Sequence, residues 1–200
     1  MKLLLTVLSA FLLLGGCSLR PEVKPPITRY YLQPEIVPVC RPQKSNKLLQ
    51  LNVSDVIPSL LGKNIVYKKS DLKTGSYLYS KWNQSPSRSI GIALYTVLKQ
   101  LKIFKDTIYA DKRIESDLTL EIKVMQFEHR FTQTEDSYAL VGLDAVIYDA
   151  QRRVLSSRFF SSQIKAASDD AQGGVKAINE ALGKVLSELV CWSAEQGDLE

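Results

Sequence analysis

The thiols in this 200-residue sequence are Cys17, Cys40 and Cys191, and its one imidazole is His129. A hydrolytic triad needs a base held beside a nucleophile, and a zinc site needs several His or Cys ligands brought together. One histidine and three widely spaced thiols assemble neither. His129 lies in the charged stretch FEHRF and reads as a surface or strand-edge residue. The carboxylate pairs Glu135-Asp136 and Asp169-Asp170 fall where a turn and a helix start are expected. Gly173-Gly174 has no Lys after it at the spacing of a phosphate-binding loop. No catalytic residue, metal set or cofactor is expected, and the chain reads as a non-enzyme.

Cys17 has a different chemistry. It sits in LLLGGCSLR, behind Met1-Lys2 and twelve uncharged residues from Leu3 to Leu14. That pattern is the basic and apolar part of a secretory signal, too short for a membrane span of about 20 residues. Leu14-Gly15-Gly16-Cys17 resembles the bacterial lipobox, in which the thiol receives a diacylglycerol and cleavage makes that Cys the first residue. Residues 1–16 are thus expected to be removed and Cys17 to carry the N-acyl and S-diacylglycerol groups. Each buried methylene contributes roughly 0.8 kcal/mol, so two or three chains give a lasting anchor. Ser18 stands where Asp would mark inner-membrane retention in enteric bacteria, which points to the outer membrane, facing the periplasm. Residues 17–27 then form a lipidated, Pro-rich tether; ten such residues in polyproline II reach roughly 30 Å. Residues 28–200 form the expected folded domain.

With Cys17 acylated, Cys40 and Cys191 remain in an oxidising compartment. They are expected as a disulfide, with two buried free thiols as the alternative. Charge is unevenly spread. Residues 41–105 hold twelve Lys and Arg against Asp55 and Asp71, whereas residues 106–200 hold ten basic against seventeen acidic residues. Such asymmetry suits anionic lipid head groups, an acidic protein face, or a homo-oligomeric ring in which the basic half of one copy meets the acidic half of the next. Neutralisation within one fold is the alternative. Nucleic acid is not an expected partner for an exported lipoprotein. Aromatic residues Tyr67, Tyr77, Tyr79, Trp82 and Tyr95 cluster in the basic part. Tyr67, Lys68, Lys69, Tyr79 and Trp82 are the candidate partner or lipid surface, against the alternative that the aromatics fill a core.

The elements that must position these residues follow from periodicity. Strands are expected at 28–34, 48–57, 64–69, 76–82, 117–124, 137–149 and 154–164, from β-branched and aromatic runs bounded by Pro, Gly or Ser-Asp signals. A helix is expected over 85–104, with Ser85 as cap and Pro86 in its first turn. A second is expected from about Asp170 to Ala194, where Val175, Ile178, Leu182, Val185, Leu189 and Trp192 form one stripe. The order predicts an α+β fold: a mixed, largely antiparallel sheet with two long helices packed on one face.

RYYLQP, LQLNVSDVIPSLLGKNIVYKKSDLKTGSYLYSKWNQSP, DAVIYDAQRRVLSSRFF and a closing helix that reaches Cys191-Trp192, in that order behind a lipobox, resemble the ABC-type transport auxiliary lipoproteins. The resemblance covers nearly all of the chain after the tether. It implies a non-enzymatic partner of an MCE-domain protein in an ABC-powered system that carries phospholipid between membranes, docking at the outer membrane. It assigns no catalytic residue. An outer-membrane assembly or secretion-machine lipoprotein is the alternative function.

Overall fold

Alternation of Leu118, Leu120, Ile122 and Val124 against polar neighbours sets the central strand of the sheet. The computed structural model describes residues 24–41, 44–55, 62–69, 73–110, 114–133 and 136–197. Cys17, the signal segment and most of the tether lie outside these residues. The strands are β1 (Thr28–Tyr30), β2 (Leu48–Asp55), β3 (Asn64–Lys68), β4 (Thr74–Trp82), β5 (Asp106–Tyr109), β6 (Leu118–Phe131), β7 (Ser137–Asp149) and β8 (Val154–Lys165). Helix α1 (Pro86–Leu101) joins β4 to β5, and α2 (Ala171–Glu195) follows β8. The fold is α+β. Its long ladders, β6–β7 and β7–β8, are antiparallel.

The other edge of β6 is forked. Its first half pairs in parallel with β2, which carries β5. Its last residues pair with β3, which carries β4 and then β1. The fork coincides with a register shift between Val124 and Gln126, and an extra residue there sharpens the local twist. It also carries the strand past its expected end. The inward set 118, 120, 122, 124 slips phase at exposed Met125 and resumes as Phe127 and His129. Read by strict alternation, the strand ends at 124; it continues to Phe131. His129 is therefore fully buried, and the surface reading of it is wrong.

Both helices cover the same face, α1 over β2 and β5, α2 over β6, β7 and β8. Leu49, Leu51, Leu120, Ile122, Leu143, Leu182 and Leu186 are without exposed area, each contributing about 1.5–3 kcal/mol by burial. Helix α1 ends three residues earlier than its expected boundary. Lys102 turns left-handed (φ 52°), which swings Ile103 and Phe104 into the core. Ser85 occupies the cap position without a side-chain capping bond. Trp82 is 2% exposed and packs on Phe127 at 5.9 Å between ring centroids, so it is a core residue and not part of a partner surface. No helix among the described residues is long and apolar enough to cross a membrane.

The segment after β1 is not a strand, although 28–34 reads as one. Residues 31–40 run extended along α2 as a strap, with odd positions exposed and even positions facing inward. The Gln33 amide donates to Asn179 Oδ1 at 2.6 Å, and the Val37 amide donates to Ser187 Oγ at 2.9 Å. Between them, a Cβ at Gly183 would lie 2.4 Å from the Glu35 carbonyl oxygen. Two extended residues advance about 6.6 Å and four helical residues about 6.0 Å, so positions 33, 35 and 37 stay in step with 179, 183 and 187. One turn further, Cys191 is bridged to Cys40, with the Cα atoms 5.7 Å apart.

Cys191→Ser is expected to lower stability by about 2–5 kcal/mol in denaturant titration, and non-reducing peptide mapping of the native chain to recover Cys40 joined to Cys191. Gly183→Ala favours the helix itself by about 0.8–1.0 kcal/mol. It is nonetheless expected to speed amide exchange at Gln33 and Val37, because the new methyl collides with the strap.

Candidate functional site

Past the first turn of α2, the sheet ends of β3, β4 and β6 overhang and form an open cleft of about 830 Å³. Tyr67, Tyr77, Leu78 and Phe131 give it apolar walls, and Lys69 and Asp169 place opposite charges on its lining. Two glycines admit the aromatic rings. A Cβ at Gly75 would sit 2.6 Å from the Tyr67 ring, its cross-strand partner. A Cβ at Gly174 would sit 2.5 Å from His129 Nδ1, so the imidazole lies flat against the first turn of α2. The rings form one cluster: Tyr67 to Tyr77 at 5.1 Å, Tyr67 to Phe131 at 6.0 Å and His129 to Phe131 at 4.6 Å between centroids.

His129 forms the floor beneath this cluster. The Tyr77 hydroxyl and His129 Nδ1 are hydrogen-bonded at 2.8 Å, while Nε2 is buried and has no partner among the described residues. Burial pulls the His129 pKa below its ordinary value, against the opposing pull of Asp169 and Asp170. Burial pushes the Tyr77 phenol upward, reinforced by Asp170, Tyr67 and Asp169. Both groups are thus held neutral. Asp170 caps α2, accepting from the Gly173 amide at 2.8 Å and the Ser168 hydroxyl at 2.9 Å. The amide bond first, and then the hydroxyl, lower its pKa. Asp169 accepts from the Ser137 hydroxyl.

The structure brings Tyr67 and Lys69 together in this cleft. Lys68 pairs in register with Arg130 and is half-buried; Tyr79 is partly exposed on β4 outside the cleft, and Trp82 is core. Phe131 and Asp169 line the cleft and His129 is buried beneath it, none of which was expected from the sequence. The signal available was the spacing of two in Phe127, His129 and Phe131, the mark of one strand face.

A family model described as "ABC-type transport auxiliary lipoprotein component" matches residues 30–190, from the end of β1 to the residue before Cys191. The chain belongs to this family. Among solved structures, protein XCC0632 from Xanthomonas campestris is similar, with TM-score 0.76 and 23% identity over 85% of this chain and 96% of that one. A second crystal structure, of an uncharacterized protein, gives TM-score 0.61 and 18% identity over 86% and 99% of the two chains. These likenesses show a shared fold. No curated protein matches the chain. The auxiliary lipoprotein family is one of transport accessories and not a known enzyme family.

The neutral His129 generates a pH prediction. Its folded pKa lies below the unfolded value of about 6.5, so the unfolded chain takes up the proton first as pH falls. Stability should drop as pH falls from about 7 to 5.5. His129 is the one histidine in the sequence, so His129→Gln is expected to flatten this slope in denaturant titrations across that window.

Proposed function

We propose that this auxiliary lipoprotein is the anchored accessory of an ABC-powered system that moves phospholipid between membranes. Its folded domain docks on an MCE-domain protein at the outer membrane, and acyl chains on Cys17 hold it there. The family match over residues 30–190 carries the transport reading. The lipobox around Cys17 and the Ser that follows it support the anchor and the outer-membrane address. The prolines of the tether give the domain its reach.

Affinity purification from mildly solubilised membranes is expected to recover an MCE-domain protein. Recovery of a barrel-assembly or secretin component without any MCE protein would overturn the proposal. The Cys17→Ala chain is expected to leave the membrane fraction in high salt, and its retention there would refute the acyl anchor.

A further inference from the structure

We propose that the cleft binds a zwitterionic phosphoethanolamine head group, with the phosphate toward Lys69 and the ammonium between the tyrosine rings and Asp169. This deepens the lipid-transport reading and rests on it for the source of the ligand. The charges of the cleft carry the argument. Lys69 and Asp169 line one cavity, yet among the described residues neither makes a contact ion pair; Asp169 accepts from the Ser137 hydroxyl and feels Lys165 only at longer range. A purely anionic ligand would meet the Asp169 carboxylate, with Asp170 next to it. A purely cationic one would meet Lys69. A ligand carrying both signs a few bonds apart satisfies each wall, and tyrosine faces attract ammonium groups further.

Size and surroundings narrow the class. The cleft is open, and its volume of about 830 Å³ exceeds what a small free zwitterion fills. Leu78, 69% exposed, and the Phe131 ring continue the cleft as an apolar surface on which the glycerol and first methylenes of a lipid can lie. Among the described residues, the cation of the cleft comes from the basic β3–β4 hairpin and the carboxylate from the start of α2, so the ligand would bridge two separate parts of the fold.

The direction of the chain places this cleft toward the membrane. β1 runs parallel to β4, with Thr28 beside Ser80 and Tyr30 beside Trp82. The residues before Thr28 therefore head back along β4 toward Thr74, which is the cleft end. Pro25 and Pro26 cannot donate to a ladder, and Lys24 to Ile27 leave the sheet as exposed chain. The proposed tether thus departs from the same end as the cleft, and roughly 30 Å of extended chain brings that end within reach of lipid head groups.

The test is calorimetric titration of the full acylated chain, held in detergent micelles, with dihexanoyl-phosphatidylethanolamine, dihexanoyl-phosphatidylglycerol and soluble glycerophosphoethanolamine. The ethanolamine lipid is expected to bind at least tenfold more tightly than the glycerol lipid, because only the former carries the ammonium. Lys69→Glu, at an exposed position, and Asp169→Asn are each expected to weaken it about tenfold, the loss typical of one charge-assisted contact. Equal binding of the two lipids, binding of neither, or unchanged affinity in Lys69→Glu would overturn the assignment. If glycerophosphoethanolamine binds as tightly as the lipid, the head-group chemistry stands and the source is the free zwitterion. Recovery of a transporter partner in the purification above is independent of this result, so the two failures are distinguishable.

Discussion

The strap on α2 is the constraint on which the remaining geometry depends. Backbone amides at 33 and 37 bond to side chains one helical turn either side of Gly183, where the absent Cβ lets the chain lie against the helix. The bridge from Cys40 to Cys191 closes the far end. Ordering a ten-residue segment without its own ladder costs backbone entropy of about 1–2 kcal/mol per residue, which these contacts must offset. With the strap held, β1 is pinned beside β4 and the point where the chain leaves the domain is fixed. Without it, three residues of β1 would be the last hold on the N-terminal chain.

The cleft depends on a second close approach. Gly174 lets the start of α2 rest on His129, and the Tyr77 hydroxyl bonded to that imidazole stands the ring up as a wall. Asp170 caps the helix, and its neighbour Asp169 lines the cleft; both carboxylates suit a helix start, the positive end of the helix. Lys69 comes from the opposite side, at the end of β3. In the proposed binding mode Asp169, beside the helix cap, and Lys69, on the hairpin, serve the fold and the ligand together, through their juxtaposition.

Much of this fold is legible in the periodicity. The apolar stripe of α2 and the alternation in β7 mark their elements to within a residue or two, since one face of each is wholly buried. Legibility fails where a local device interrupts the period. A one-residue slip at Met125 hid the second half of β6 and turned His129 from core into surface. The left-handed Lys102 shortened α1, and the four-residue β5 was too short to register. The strap bonds to helix side chains instead of a ladder, so its extended run could be mistaken for a strand. Within the cleft, Tyr67 and Lys69 were visible as aromatic and basic neighbours. Asp169 was not, because its place opposite them follows from the way α2 returns across the sheet. Trp82 was misplaced because an aromatic at a strand end suits a core as well as a surface.

The central claim is that the clamped N-terminal chain turns the cleft end of the domain toward the membrane. A fluorophore attached at Gln133, beside the cleft, or at Gln151, in the β7–β8 turn, tests it directly. The thirteen residues of β7 separate these ends by about 43 Å. In acylated protein inserted into vesicles whose head groups carry a quencher, the account predicts strong quenching at Gln133 and weak quenching at Gln151. Equal quenching at the two positions, or stronger quenching at Gln151, would contradict it.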